Sequence, residues 1–278
     1  MAKVLRATFD QLYDGQHTGR YRLDQLYKTE KTHFGTLIEI NLPREFKFED
    51  GDVLDFNIAG HEVDCKYSHT GAWMLPIESF DQIILGVQAD DQKSLWSAGL
   101  VRVTAANRRT SENRDKKTGL NSHGREQIRW LRRGFPMQPN ALLELPPWAI
   151  DRIFTPRSGQ ARLNELFRIA TNRRLSRNIV ATVAQQDDYM KRVRYNGGAR
   201  SHLQPEGYLI LGGDYTAQSR LAAALGSVPP APGEFVSLRV VPGIPGDLGV
   251  AEISGGFWRM AGTDETVTVP APTVRQDQ

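Results

Sequence analysis

Cysteine is almost absent from this 278-residue chain, in which Cys65 is the only one. A single thiol excludes an internal disulfide and a zinc site built on clustered cysteines, and it agrees with a reducing compartment. The six histidines show none of the spacings typical of a metal-binding motif. Any bound metal is therefore expected to have oxygen or nitrogen ligands.

Long apolar runs are also missing. No stretch approaches the roughly 18 uninterrupted apolar residues that a membrane-spanning helix needs. The first residues, MAKVLRATFDQLYDG, contain charges among their apolar side chains, so they resemble neither a secretory signal nor a transit segment. We expect a cytoplasmic protein with no membrane partner.

Excess charge is small overall, with a net charge of +3 and a pI of about 9.0. Such values are weak support for a nucleic-acid partner if the charge is spread evenly. However, residues 151–205 contain eleven basic and four acidic side chains, a net charge of +7. This local excess favours DNA binding by the C-terminal half.

The periodicity of apolar residues predicts helices over residues 8–45 and a period of two from Val53 onward. The predicted strands are DVLDFNIAG, HEVDCKYS, WMLPIESF, DQIILGVQAD and AGLVRVTAANR. Helices followed by such a meander indicate a mixed α/β (α+β) fold, in which helices flank a mixed sheet.

A stretch without periodicity, WLRRGFPMQPN, contains two prolines and is typical of an interdomain linker. We predict a catalytic domain at residues 1–133, a linker at 134–140 and a DNA-binding domain at 141–278. In the last of these, three helices precede short strands, and the third helix is predicted over RNIVATVAQQDDYMKRVR. That order favours a winged helix-turn-helix module.

Ionisable residues cluster in LDFNIAGHEVDCKYS, where Asp55, Asp64 and Lys66 form the pattern D-(x8)-D-x-K. Asp64 and Lys66 share one face of a strand, because side chains two residues apart point the same way. Asp55 lies on the preceding strand, and the distance between the two carboxylates depends on a register that the sequence leaves open. Converging carboxylates favour Mg²⁺, which needs few protein ligands.

This pattern is typical of PD-(D/E)xK nucleases, in which the lysine stabilises charge on a scissile phosphate. We predict Asp55 and Asp64 as metal ligands and Lys66 as a catalytic residue. Glu39, on the upstream helix, is predicted as an additional ligand or orienting acid. The alternatives are an exposed hairpin with solvated charges, and for Glu39 an exposed helix residue.

The segment QQDDYMKRVRYNGGAR is predicted to read DNA, because glutamine and arginine contact base edges and basic side chains neutralise phosphates. The candidate residues are Gln186, Lys191, Arg192, Arg194 and Arg200. The alternative is a solvated charged helix face. A second basic stretch, NRRTSENRDKK at 107–117, is either a loop on the DNA backbone or a solvated loop.

Taken in order, the blocks FDQLYDG, DQLYKTEKTHFGTLIEINLPREF, IAGHEVDCKYS, GAWMLP, GQARLNELF and VATVAQQDDYMKRVR resemble the NaeI restriction endonuclease family. The resemblance implies a restriction-endonuclease-like domain followed by a topoisomerase-like domain with a helix-turn-helix element. It also implies a homodimer that hydrolyses double-stranded DNA with Mg²⁺ at a palindromic, GC-rich site, stimulated by a second DNA copy. A DNA methyltransferase is the expected partner. The family's acidic positions match Glu39, Asp55 and Asp64, and its lysine matches Lys66.

Two other functions stay open from the sequence. One is a nicking or repair endonuclease built on the same core. The other is a DNA-binding regulator with an inactive nuclease core.

Overall fold

The computed structural model describes residues 1–111 and 113–274, which divide into two compact units. The first unit is formed by Met1–Tyr13 and Arg22–Asn140. The second unit is formed by the chain from Ala141 onward together with the segment Asp14–Tyr21. The sequence did not predict that this segment belongs to the second unit. Glu112 of the basic stretch and the last four residues of the predicted C-terminal domain lie outside the described residues.

Helices and strands follow in this order. The helices are α1 (Ala2–Tyr13), α2 (Gly15–Thr18), α3 (Lys28–Phe46), α4 (Ser122–Glu126), α5 (Pro147–Phe154), α6 (Gly159–Ile169), α7 (Arg177–Ala184), α8 (Ala199–Leu203) and α9 (Thr216–Ala224). The strands are β1 (Glu49–Asp50), β2 (Phe56–Ile58), β3 (His61–Tyr67), β4 (Ile83–Asp90), β5 (Leu95–Arg102), β6 (Arg129–Pro136), β7 (Leu175–Ser176), β8 (Tyr208–Gly212), β9 (Glu234–Pro242), β10 (Val250–Ile253) and β11 (Gly256–Met260).

The first unit is built on a six-stranded sheet in the order β1 to β6. Strands β3 and β4 are parallel and the other neighbours are antiparallel, so the predicted mixed sheet is confirmed. Helices α1 and α3 cover one face, where Phe9, Phe34 and Leu85 belong to one buried cluster. The other face carries a smaller cluster that includes Trp73 and Ile84. Side chains along β4 point alternately to the two faces of the sheet, so this strand contributes residues to both clusters.

A buried ion pair joins α1 to the turn after β4. The carboxylate of Asp91 is 2% exposed and accepts hydrogen bonds from the Arg6 guanidinium and, at 2.7 Å, from the Tyr13 hydroxyl. Arg6 also pairs with Asp10 one helical turn away, at 2.8 Å. Burial is tolerated here because each charge has an opposite charge beside it.

The second unit has a five-stranded sheet in which β9 pairs with β8, β7 and β11. Helices α5 to α8 pack around a cluster that includes Leu166 and Ile179, while α9 covers a second cluster. Serine caps begin two of these helices, because Ser158 accepts from the Ala161 amide and Ser176 from the Ile179 amide.

Residues of α2 lie against α7 within this second unit. A Cβ on Gly15 would come within 2.1 Å of the Thr182 hydroxyl, so glycine permits the close approach. The Gln16 amide donates to Asp187 at 3.1 Å, just beyond the end of α7. The segment 14–21 thus completes the helical layer of the second unit.

The structure corrects the predicted third helix over RNIVATVAQQDDYMKRVR. Helix α7 ends at Ala184, where Gln185 adopts a left-handed conformation with φ of 51°, and residues 189–193 form a separate 3₁₀ turn. The guanidinium of Arg162 donates to the carbonyls of Val183 and Ala184 at 2.7 and 2.8 Å, which caps the helix. Later apolar residues pack in the same core, and this produced the misleading helical spacing.

Two further predictions about local structure were wrong. Residues 134–136, predicted as linker, end the edge strand β6, whose side chains are mostly exposed and so show no alternation. The segment WMLPIESF is not a strand, because Pro76 lacks an amide hydrogen and residues 77–79 form a 3₁₀ turn. None of the helices in the described part of the chain combines the length and apolar character that crossing a bilayer requires.

Candidate active site

The β2–β3 hairpin brings the two predicted aspartates together. Its two-residue turn uses Ala59 and Gly60, both at positive φ, and pairs Phe56 with Val63. Asp55 directly precedes the first residue of this pairing, and it lies close enough to Asp64 to raise the pKa of that carboxyl. The Asp55 carboxylate also accepts a hydrogen bond from the Cys65 amide at 2.6 Å. The register thereby answers the question that the sequence left open.

The loop before Asp55 is held by one glutamate. The carboxylate of Glu62, on β3, accepts hydrogen bonds from the amides of Asp52, Val53 and Leu54 at 2.8, 3.2 and 2.7 Å. These hydrogen bonds lower the pKa of Glu62 and keep it ionised. The loop that immediately precedes Asp55 is therefore held in place by Glu62.

Strand β3 separates its two faces as predicted. Cys65 is buried in the core beneath the helices, whereas Asp64 and Lys66 lie together on the other face. The Lys66 ammonium donates to Asp64 Oδ1 at 2.5 Å and to the Cys65 carbonyl at 3.0 Å. Although the Asp64 side chain is only 6% exposed, its Oδ2 has no hydrogen-bond partner among the described residues.

Burial and mutual repulsion perturb the charged groups of this site. Burial is the largest cause that raises the pKa of Asp64 to about 6, the nearby Asp55 raises it further, and Lys66 opposes both. Burial, followed by Asp55, also raises the pKa of Glu39. Burial alone would lower the pKa of Lys66, but Asp64 and the other carboxylates outweigh it, so the pKa is raised and the ammonium stays charged.

Glu39 and Lys66 line one cavity of about 600 Å³ between α3 and the end of β3. Two further lysines also line it, Lys31 on α3 and Lys117 from the basic stretch 107–117. The lysines give this cavity positive charge that can attract an anionic ligand. Two of the predicted catalytic residues, Glu39 and Lys66, lie in the same lining. Glu39 lies on this wall, and the charges of Asp55 and Asp64 contribute to its raised pKa.

The arrangement was tested for its fit to a metal ion. In residues 1–111 and 113–274, no three histidine, cysteine, aspartate or glutamate side chains are grouped so that they could hold a metal by themselves. Two carboxylates nevertheless suit Mg²⁺, which keeps several waters and substrate oxygens as ligands. Asp64 Oδ2 is a buried acceptor without a hydrogen-bond donor among the described residues, and Asp55 lies close enough to raise the pKa of Asp64. These residues fit a divalent cation.

Of the other residues of this wall, Lys117 belongs to the basic stretch 107–117 that the sequence indicated, whereas sequence reasoning did not single out Lys31 or His69. His69 follows β3, and its Nδ1 lies 2.7 Å from the Tyr67 hydroxyl, while its buried Nε2 has no partner among the described residues. Lys31 stands on α3 two turns before Glu39. Helical spacing could have indicated Lys31, but only the tertiary fold brings Lys117 and His69 to the cavity.

The predicted DNA-reading residues occupy different environments. Lys191 and Arg194 are exposed, and Arg192 pairs with Asp188 at 3.4 Å. The side-chain oxygen of Gln186 is buried without a partner in the described chain. Arg200 is held inside the unit, where it donates to the carbonyl of Ile210 at 2.9 Å. These five residues therefore do not form one exposed reading surface.

The charge excess of residues 151–205 is partly neutralised in the folded unit. Several of its arginines pair with acids that lie outside this window. The pairs are Arg168 with Glu206, Arg173 with Glu144, Arg174 with Glu234 and Arg177 with Asp214. Arg157, Arg162, Arg194 and Arg200 form no ion pair with a carboxylate of the described residues.

A mixed sheet flanked by helices, with acidic side chains and a lysine meeting on adjacent strands, is consistent with the core of a restriction endonuclease. The family described as restriction endonuclease NaeI matches residues 1–269 of this chain. The chain belongs to the NaeI restriction endonuclease family. It is 50% identical over 283 residues to the type II restriction enzyme NaeI of Lentzea aerocolonigenes, covering 98% of this chain and 88% of that protein. The resemblance inferred from the sequence, and with it the enzyme class, is confirmed.

Proposed function

We propose that this protein is a type II restriction endonuclease that hydrolyses phosphodiester bonds of double-stranded DNA with Mg²⁺. Family membership supports the reaction class. The observation that carries the assignment of the site is the closeness of Asp55 and Asp64, with an unpartnered buried oxygen on Asp64 and the Lys66 ammonium beside it.

Asp55 and Asp64 would hold the metal, and Glu39 would orient ligands from the cavity wall. When bound, Mg²⁺ supplies a Lewis acid that offsets charge on the scissile phosphate. Lys66 stays protonated among three carboxylates, so its ammonium is available to stabilise negative charge as water adds to phosphorus. The raised pKa of Asp64 follows from burying two carboxylates together, an arrangement that a cation relieves.

The DNA strand would enter the cavity that Glu39 and Lys66 line. Lys31 and Lys117 supply positive charge at its wall, as phosphate contacts require. The basic stretch 107–117 accordingly serves the substrate rather than bulk solvent.

We assign DNA binding to the second unit as well. Its order α6, β7, α7, α8, β8, β9, with β9 between β7 and β8, supports a winged helix-turn-helix arrangement with α8 after the turn. A homodimer, a palindromic GC-rich site and a second DNA copy as effector belong to this proposal on the strength of the family. So do a partner methyltransferase and a cytoplasmic location.

Digestion of unmethylated plasmid DNA tests the proposal. The wild-type protein and Asp64→Asn are incubated with Mg²⁺ or with EDTA, and the fragment ends are sequenced. Discrete Mg²⁺-dependent fragments that share one palindrome, absent with Asp64→Asn, are expected. Nicked circles as the end product would point to a nicking enzyme, and specific binding without cutting would point to a regulator.

Lys66→Ala tests the role of the ammonium. We expect duplex affinity to be retained and the single-turnover cleavage rate to fall on the order of 10²–10³, by comparison with loss of one oxyanion donor. The matched control is Lys93→Ala, which removes an exposed lysine that pairs with Asp90 on the same sheet. An unchanged rate for Lys66→Ala would exclude Lys66 from the mechanism.

A further inference from the structure

We propose that the second unit contains a phosphate-binding site, formed by a cavity around Arg200 and separate from the cleavage site. The cavity measures about 380 Å³ and is lined by residues of α7, α8, α9 and the segment 190–195. The site goes beyond the proposed cleavage reaction. Where the bound phosphate belongs to DNA, the inference rests on the proposed DNA-binding role of this unit.

The position of Arg200 is the first reason. Its Nε donates to the Ile210 carbonyl at 2.9 Å and its Nη2 to Gln218 Oε1 at 3.3 Å, while its guanidinium lies 5.6 Å from the centre of the Tyr195 ring. All these partners are neutral. Arg200 lines the cavity, and no hydrogen bond from its Nη1 is found in the described part of the chain.

The electrostatic cost of this position is the second reason. Burial lowers the pKa of Arg200, which means that the surroundings disfavour its positive charge. An arginine keeps its charge in proteins, so the disfavoured charge persists rather than being neutralised. Buried charges are normally paired, and no carboxylate of the described residues pairs with this one. An anion in the cavity would supply the missing partner.

The other charged groups of the lining are the third reason. Arg177, Arg194 and Arg200 face one carboxylate, that of Asp214, which gives the lining a formal charge of +2. Arg177 and Asp214 are paired at 2.5 Å, and Arg194 is exposed without a carboxylate partner among the described residues. Two guanidinium groups are thus left to bind an anion.

Phosphate fits this lining better than a carboxylate does. Guanidinium groups bind phosphate oxygens through paired N–H donors, and several oxygens allow donors from different directions to bind at once. The Tyr195 hydroxyl accepts from the Val274 amide at 3.1 Å, which leaves its own proton to donate. The cavity is within the roughly 300–1,000 Å³ range of ligand pockets, so the phosphate can carry an attached sugar.

The test uses the full chain in EDTA, so that no DNA is cut. Inorganic phosphate is titrated calorimetrically against sodium chloride of equal ionic strength. Saturable binding is expected for the wild type, with at least a tenfold loss of affinity in Arg200→Gln. The control Arg220→Gln removes an exposed charge of α9 that does not line the cavity, and it should bind phosphate as the wild type does.

A merely structural role for Arg200 predicts something different. It predicts that phosphate raises the unfolding temperature of Arg200→Gln as much as that of the wild type, whereas a phosphate site at Arg200 predicts that this rise is lost. The hydrogen bonds to Ile210 and Gln218 are lost in both cases, so the unfolding temperature without phosphate does not distinguish the two roles. If Arg200→Gln does not fold, Arg200→Lys and Arg194→Gln serve instead, since each keeps most of the packing and removes one guanidinium group.

Duplex binding then separates two sources of the phosphate. A DNA phosphate predicts that Arg200→Gln weakens duplex binding, lowers the salt slope by about one and abolishes competition by inorganic phosphate. A free phosphate predicts unchanged duplex affinity. The inference is overturned if the wild type binds phosphate no better than chloride, or if Arg200→Gln binds it equally well. Absence of cleavage with Arg200-dependent phosphate binding would instead refute only the proposed nuclease.

Discussion

Replacing Asp64 by asparagine should remove a destabilisation that depends on pH. In the folded protein the pKa of Asp64 rises from its ordinary value of 3.8 to about 6, with burial as the main cause. Between these values the folded carboxyl group holds a proton that the unfolded one has lost. The free energy of unfolding therefore falls as pH rises through this window, and the full loss is present above about pH 6.

The magnitude follows from the two pKa values. A difference of one in pKa corresponds to about 1.36 kcal/mol, so the loss reaches up to about 3 kcal/mol for this nearly buried side chain. Lys66 remains protonated throughout the window, and its attraction for the ionised Asp64 carboxylate is already included in the shifted pKa of Asp64. Mg²⁺ binds the ionised carboxylate, so adding it should recover the lost stability in the wild type only.

Hydrogen exchange of the β3 and β4 amides measures this effect within the first unit. Opening free energies of the wild type and Asp64→Asn are compared from pH 4.5 to 7.5, with Asp52→Asn as a control at an exposed position. The difference between Asp64→Asn and the wild type should grow in favour of the variant as pH rises. If the difference in opening free energy between the two proteins does not change with pH, the pKa of Asp64 is not raised in the folded protein and the reasoning is refuted.

Three substitutions in the first unit test other contacts. Asp91→Ala should lower the free energy of unfolding by about 3–5 kcal/mol in denaturant titrations, because a buried arginine loses its carboxylate; a loss below 1 kcal/mol would contradict this. Gly86→Ala should cost about 1–3 kcal/mol in the same assay, since its Cβ would lie 2.4 Å from the Trp73 ring. Glu62→Ala should slow cleavage with duplex affinity retained, because the loop before Asp55 loses its anchor; Glu62→Gln should restore part of the rate, and equal rates in all three proteins would exclude a positioning role.

The hairpin of the candidate active site was predictable because its signals are local. Alternation along HEVDCKYS assigns Asp64 and Lys66 to one face and Cys65 to the other, and the structure has this arrangement. The register across the hairpin was not predictable, since it follows from the positive φ angles at Ala59 and Gly60.

The charge argument for the second unit shows a different limit. A count over a window of sequence treats every arginine as available, yet Arg168 and Arg177 find carboxylates far along the chain. Arg200 is partly buried, and its hydrogen-bond partners are a main-chain oxygen and an amide oxygen. Which basic residues remain available depends on tertiary pairing, and local composition does not contain that information.

The segment Asp14–Tyr21 makes neither unit a continuous stretch of chain. A single gene junction near Asn140 would therefore not yield two self-sufficient parts, because the later part would lack the residues that cover α7. A chimaera that takes its C-terminal half from a relative would present a foreign α7 to the resident Gly15 and Gln16, whose fit to Thr182 and Asp187 is close. Transferring this unit to another protein means transferring both the chain from Ala141 onward and the segment Asp14–Tyr21. We therefore expect C-terminal halves to be exchanged successfully only between relatives that also share this short segment.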